Sequence, residues 1–389
     1  MIDTLTQSTK LKIQMAARDK LRATGLTHPL YRYPASMSPA LARELILTFT
    51  EPGNTILDPF CGGGTTAIES LSNGRRVICS DINPLASFVT LAKAWPLPDS
   101  ALAKLHEWFL QSRERLRQQK DDSIVPLLTR TGKEYSPKTH GLLLSLKDMA
   151  NGIAQAPVRR VALLITLQVG KLCFDCRKHP PSPAILLRKF EKVYHKAITT
   201  IKQYSSECYK WDVRYDMSES FRIYKCSIHD LPKRFADYKG KVNLVLTSPP
   251  YPGTHVHYNR WQIHGRGETD LPYSLLDLRD GHSTSFYTLG DRKEAKNRTY
   301  FTEMELALKN LRVMLRRSTL LAQVVSFPDA RRQLSEYKEL MERAGYREVF
   351  LDQTGRSVIP RNIPNRRWYT VYSESARRAK EYIMIHRLK

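Results

Sequence analysis

An α/β fold built on a twisted, mostly parallel sheet follows from three features of this 389-residue chain. Short apolar runs that end in turn residues recur near both ends of the sequence, segments with three- and four-residue apolar spacing separate them, and one run, Val242 to Leu246, is largely apolar, as a strand buried on both faces must be. Thr55-Ile56-Leu57, a glycine-rich turn, the stretch Thr65 to Ser72 and Arg76-Val77-Ile78-Cys79-Ser80 read as strand, turn, helix, strand. Beyond the Val242 run, Thr302 to Arg316 and Leu334 to Ala344 have helical periodicity, and Leu320 to Phe327, Tyr346 to Leu351 and Glu381 to His386 are strand-like.

Residues 99 to 215 break this rhythm, because a crossover between neighbouring parallel strands rarely needs more than a few tens of residues. Ser100 to Lys120, His140 to Ala154, Val158 to Leu172 and Ser182 to Ser205 carry helical spacing, and Ser182-Pro183 is a capping residue followed by proline at the first helical position. The expected organisation is therefore residues 1–98 and 216–389 as two parts of one α/β domain and residues 99–215 as a helical insertion.

Hydrophobic residues at 41% and charged residues at 26% exclude a disordered or fibrous chain. The net charge of +24 points to a polyanionic partner, nucleic acid ahead of an anionic membrane surface. Half of that excess falls in residues 101–240, which hold 26 basic and 14 acidic side chains. Six irregularly spaced cysteines and a start without an apolar leader suggest a reducing, cytoplasmic setting. Val161 to Gly170, the most apolar stretch, is too short to span a bilayer and reads as a buried helix.

Two constellations carry chemistry. The first is Asp58-Pro59-Phe60-Cys61-Gly62-Gly63-Gly64-Thr65-Thr66, placed after a strand and opening a helix, where glycines admit close backbone approach and free amides receive an anion. Asp81 follows nineteen residues after Gly62, close to the spacing at which a carboxylate meets ribose hydroxyls. The turn lacks both the lysine of a phosphate-binding P-loop and the Gly-x-Gly-x-x-Gly form of nicotinamide binders, so an adenosine ligand with a carboxylate tail fits better. The second is Thr247-Ser248-Pro249-Pro250-Tyr251 at the carboxyl end of the Val242 run. Two prolines stiffen it and add acceptors without donors, Ser248 Oγ and the Pro249 carbonyl can share one substrate donor, and Tyr251 offers a stacking face. These are the parts that hold an exocyclic amine on a base.

Together these residues resemble the DNA amino-methyltransferases, which use S-adenosyl-L-methionine to methylate N4 of cytosine or N6 of adenine. The resemblance spans roughly residues 28–98 and 222–389. It implies a Rossmann-like class I methyltransferase sheet of seven strands, methionine-side contacts from Asp58, Pro59, Phe60, Gly62, Gly64 and Thr65, a ribose contact from Asp81 and an adenine-side contact from Asp230. The Tyr33-Pro34 segment looks like the short proline motif that lines the methionine side. Ser248, Pro249, Pro250 and Tyr251 match the catalytic motif, whose serine form is most typical of the N4-cytosine branch, with N6-adenine transfer or guanine-N2 transfer on RNA as alternatives. The implied partner is double-stranded DNA with the target base flipped out, in a prokaryotic, nucleoid-associated cytoplasm, and a cognate restriction or defence component as an open question. Carbon-5 cytosine methylation is disfavoured, since none of the six cysteines follows a proline.

The basic surface offers further candidates. Arg260 beside Trp261 suits a nucleotide, and Arg361, Arg366, Arg367 and Trp368 read as a basic aromatic loop between the last two strands that contacts phosphate. Cys173 and Cys176, with His179, His195 and Cys208 elsewhere, form one Cys-x-x-Cys without a second pair, and no metal is expected.

Overall fold

A computed structural model of the chain describes residues 4–19, 25–33, 36–118, 127–128, 134–135, 137–213, 217–252, 260–263, 267–281, 287, 289, 297–362 and 380–389. Helices α1 (Gln7–Arg18) and α2 (Pro39–Phe49) precede strand β1 (Thr55–Asp58), which is followed by α3 (Thr65–Leu71), β2 (Arg76–Asp81) and α4 (Pro84–Ala94). Four longer helices come next: α5 (Asp99–Gln118), α6 (Pro137–Asn151), α7 (Ala156–Phe174) and α8 (Pro183–Tyr209). The chain then returns to the sheet with β3 (Phe221–Lys225), β4 (Leu244–Thr247), α9 (Arg298–Arg312), β5 (Leu320–Ser326), α10 (Ala330–Arg343), β6 (Tyr346–Glu348), β7 (Val358–Asn362) and β8 (Lys380–Leu388).

The sheet order is β6-β8-β5-β4-β1-β2-β3, with β7 paired beside β6 on the same edge of β8. Strands β3, β2, β1, β4 and β5 run parallel, and β8 is antiparallel to its neighbours. This is the expected mixed α/β class, with eight strands in the sheet among the described residues rather than seven. The extra strand, β7, lies where a basic loop was expected, and its alternating burial turns Ile359 and Arg361 inward.

Period-two alternation divides the strand side chains between two cores. Ile56, Leu244, Leu246 and Val324 face α2, α3 and the end of α8, whereas Leu57, Val245, Leu321 and Val325 face α9 and α10. The four long helices build a third core that also holds α4 side chains and the aromatic rings of Trp261 and Tyr273. In it Phe109 stacks on Tyr194 with ring centroids 3.8 Å apart and planes 4° from parallel. Ser182 stands at the N-cap of α8 but makes no side-chain cap bond, so Pro183 alone marks the start. Among the described residues no helix is long and apolar enough to cross a membrane.

His386, near the end of β8, is buried with neither ring nitrogen hydrogen-bonded among the described residues, and burial pushes its pKa down to about 4. The unfolded chain therefore binds this proton first. Stability from the neutral ring is complete above about pH 6.5 and is lost as pH falls toward 4, by on the order of 3 kcal/mol. Urea unfolding of His386→Leu and wild type at pH 7, 5.5 and 4.5 should show the variant gaining on the wild type as pH falls. A pH-independent difference would exclude the histidine as the acid-sensitive group.

Candidate active site

Parallel pairing of β1 with β4 brings the carboxyl ends of two adjacent strands together, and the glycine turn and the Ser-Pro-Pro-Tyr loop leave from those ends. Thr247 Oγ1 donates to Asp58 Oδ1 at 2.7 Å across the junction, and the Phe60 amide donates to the same oxygen at 3.2 Å. Burial pushes the Asp58 carboxyl up to about 6, against the hydrogen bonds from Thr66, Thr247 and Phe60. Burial likewise raises Asp81 to about 6, although the Asn83 and Gly62 amides donate to it, each at 2.9 Å. Asn83 also caps α4 through Leu85 N at 2.9 Å, so one segment ends β2, anchors the glycine turn and starts the next helix.

The turn is held from behind. Gly62 and Gly64 have φ of +50° and +81°, in the left-handed region, and Thr90 Oγ1 donates to the Gly62 carbonyl at 3.0 Å. Lys93 Nζ, buried under the turn, donates to the Gly63 carbonyl at 2.7 Å, and burial lowers its pKa to about 7. A Cβ on Gly63 would stand 2.6 Å from Tyr33 Cβ, so this glycine is required by the tyrosine packed on it.

One cleft gathers most of these residues. Tyr33, Asp58, Pro59, Phe60, Gly62, Thr65, Asp81, Ser248, Pro249, Pro250 and Tyr251 all line it. Its empty space, open mouth included, is about 1250 Å³. Gly64 stands behind the wall as the N-cap of α3. Asp230 is exposed and outside the lining, and its neighbours Ser227, Ile228 and His229 line the cleft in its place. Pro34 lies outside the described residues.

Within the Ser-Pro-Pro-Tyr loop, Ser248 Oγ donates to the Val324 carbonyl at 2.9 Å and stands 3.1 Å from the Tyr251 hydroxyl. The Tyr251 hydroxyl donates to Glu381 Oε1 at 3.0 Å, and Glu381 Oε2 pairs with Arg361 Nη1.

Three residues expected on a nucleic-acid surface are placed inside the protein. Arg260 is buried and paired with Asp280 at 2.6 Å and Glu268 at 3.8 Å. Trp261 is 1% exposed. It packs over Gly170 of α7, where any Cβ would stand 2.7 Å from the indole, and Nε1 donates to the Tyr31 hydroxyl at 3.4 Å. Arg361 is buried between Glu381 and the Ala17 carbonyl. Arg366, Arg367 and Trp368 lie outside the described residues. Cys173 is buried in the helical core and Cys176 is exposed.

Sequence reasoning passed over Ile82, Asn83, His229, Tyr287 and Leu289 of the lining. Ile82, an apolar side chain 39% exposed directly after Asp81, could have been flagged by that adjacency, and Asn83-Pro84 is a helix-start signal. Tyr287 and Leu289 lie in a long connection without a motif, and nothing nearby in sequence announces them.

Residues 9–92 match the family model for DNA methylases. The chain is 40% identical over 82 residues to the type II methyltransferase M.MvaI of Kocuria varians, covering 20% of this chain and 18% of that protein. It is 50% identical over 52 residues to a tRNA (guanine(10)-N2)-dimethyltransferase of Methanothermobacter thermautotrophicus, covering 13% of this chain and 16% of that one. The matched stretches thus span less than a fifth of either relative. Among solved structures, the rRNA methyltransferase aviRa of Streptomyces viridochromogenes aligns with a TM-score of 0.35 and 11% identity over 98% of this chain and 93% of that one, a likeness from which nothing is drawn.

Comparison of two left-handed glycines, one outside the turn and one in it, allows a direct test of the turn. Gly53 and Gly64 share a φ of +81°, but a Cβ meets nothing within 4 Å at Gly53 and lies 2.9–3.1 Å from Thr90 atoms at Gly64. Gly53→Ala should cost the backbone strain alone, about 1–3 kcal/mol. Gly64→Ala should cost more, because Thr90 and α4 must move. Equal losses in chemical denaturation would show that Thr90 yields freely.

Proposed function

We propose that the protein transfers a methyl group from S-adenosyl-L-methionine to the exocyclic N4 amine of cytosine in double-stranded DNA, with the target base flipped into the cleft. The observation that carries this reading is the convergence of the glycine turn and the Ser-Pro-Pro-Tyr loop on one cleft at the ends of adjacent parallel strands. The match of residues 9–92 to DNA methylases and the 82-residue stretch shared with M.MvaI support it.

The residues present fit the cofactor. Asp81 has accepted one amide on each oxygen, and each oxygen keeps a lone pair for a ribose hydroxyl. Ile82 offers an apolar face beside it. Asp58 and Asp81 place two carboxyl groups along one buried wall, which favours a ligand with cationic groups. Tyr33, Phe60, Gly62 and Thr65 would line the methionine side.

When bound, the cofactor supplies an electrophilic methyl group on a sulfonium, which the amine nitrogen takes in an in-line displacement. The chain's own contribution is orientation and polarisation. Ser248 Oγ and the Pro249 carbonyl accept from the amine and draw its lone pair out of conjugation, while the ring of Tyr251 holds the base. Base flipping costs a few kcal/mol of lost stacking, and the cleft contacts offset it.

The helical insertion, residues 99–215, serves to engage the DNA, and α8 supplies its basic surface. Arg188, Lys192, His195, Lys196 and Lys202 are exposed along it, with no exposed acidic residue between them. Glu191 is half-buried and lies 3.6 Å from Arg117. From Arg188 to Lys202 the face extends roughly 21 Å, long enough to follow several phosphates. Guanine-N2 transfer on RNA is the second reading, favoured by the 52-residue stretch shared with the tRNA dimethyltransferase.

Incubation with S-adenosyl-L-methionine and unmethylated plasmid DNA, or total RNA in parallel, followed by nucleoside mass spectrometry, should yield N4-methylcytosine. N6-methyladenine would reverse the choice of base, and product in RNA alone would establish the second reading. Tyr251→Ala should cut turnover by roughly 100-fold or more while leaving cofactor affinity unchanged. Asp81→Ala should weaken cofactor binding instead, and equal loss of both in either variant would contradict these roles. Replacing Arg188, Lys192, Lys196 and Lys202 together by Gln should reduce the magnitude of the slope of log affinity against log salt by about 3.6 if each contacts a phosphate. An unchanged slope would place the DNA on another surface.

A further inference from the structure

The catalytic loop reaches further into the fold than its motif. Ser248 and Tyr251 each carry one hydroxyl proton, while the Val324 carbonyl and the Glu381 carboxylate can only accept. Ser248 donates to Val324 at 2.9 Å and Tyr251 donates to Glu381 at 3.0 Å, so both protons are directed away from the 3.1 Å gap between the two hydroxyl oxygens. Ser248 Oγ, its own proton committed, then lines the cleft as an acceptor. Glu381 is itself fixed: it is 7% exposed, faces Arg361 directly across the β7–β8 pair, and Arg361 is held in turn by the Ala17 carbonyl at 3.2 Å.

We propose that Glu381 is a positioning residue: by taking the Tyr251 proton it keeps Ser248 Oγ an open acceptor for the N–H of the substrate amine, and Arg361 holds Glu381 in the orientation that does so. This rests on the reading of Ser248 as the acceptor of a base amine. Without the carboxylate, the Tyr251 hydroxyl can donate across the 3.1 Å gap to Ser248 Oγ and take one of its two lone pairs, in competition with the amine. The effect falls on turnover, because the amine is polarised during transfer.

Steady-state kinetics of Glu381→Gln, Tyr251→Phe and the double variant test this, with cofactor affinity measured separately. Glu381→Gln should lower kcat roughly tenfold, the worth of one hydrogen bond, with cofactor affinity unchanged. In the Tyr251→Phe background, where no hydroxyl remains to be steered, the same substitution should have no further effect. Glu381→Asp retains the charge opposite Arg361 but withdraws it from Tyr251 by one methylene. It should reproduce the loss in kcat while keeping the melting temperature, which separates positioning from stability. Equal losses from Glu381→Gln in both backgrounds, or wild-type turnover in Glu381→Asp, would overturn the role. A readout independent of turnover is the carbon-13 resonance of Tyr251 Cζ at neutral pH, which should shift in Glu381→Gln as the charge-assisted hydrogen bond is lost. An unmoved resonance would show that the hydroxyl does not depend on Glu381. A wild-type protein without methyl transfer to DNA or RNA would remove the functional reading and this role with it, and is told apart from the other outcomes because it appears before any substitution.

Discussion

The hydrogen bond from Thr247 to Asp58 joins the ends of the two central strands, and everything at the cleft is arranged around that junction. Parallel neighbours β1 and β4 must end on the same side of the sheet, so the loops that leave them open into one space. The cost is a carboxyl group buried where charge is disfavoured, offset by donors from Thr66, Thr247 and the Phe60 amide. Asp81 repeats the solution one strand away, with its oxygens on the Gly62 and Asn83 amides. The two carboxyl groups thereby fix the turn that separates them.

The insertion is bound to the sheet domain at several points. At one end, the Tyr204 hydroxyl donates to the Ala94 carbonyl and the Leu97 amide donates to Ser205 Oγ. At the other, Trp261 enters a slot that exists because α7 carries glycine at position 170, and the Cys176 amide donates to the Gln262 carbonyl at 2.6 Å. Trp261, Ile263 and Tyr273 are thus part of the core built by α5 to α8.

The fold class was legible because buried parallel strands and amphipathic helices leave periodic marks. The helices of the insertion were found to within a few residues, since their apolar faces repeat. The cleft was legible where chemistry and backbone coincide, as in the glycine turn, Asp81 and the Ser-Pro-Pro-Tyr loop. It was not legible where a position depends on distant pairing. Arg260, Trp261 and Arg361 carry the residue types of a nucleic-acid surface, yet Asp280, Gly170 and Glu381 draw them inward, and those partners lie between 20 and 91 residues away. Asp230 and His229 show the same limit at short range: a turn of 3-10 helix at Ile228–Asp230 puts the histidine on the cleft and the carboxylate outside.

The strand β7 has a further implication for how this chain can change. Arg361 and Glu381 are opposed by ladder register, and in an antiparallel pair a slip of one residue turns every side chain to the other face. A single inserted or deleted residue within Val358–Asn362 would therefore carry the arginine away from the carboxylate that accepts from Tyr251, although it lies more than a hundred residues from Tyr251 in sequence. The five residues Val358–Asn362 are therefore fixed in register by the side chain that meets Glu381.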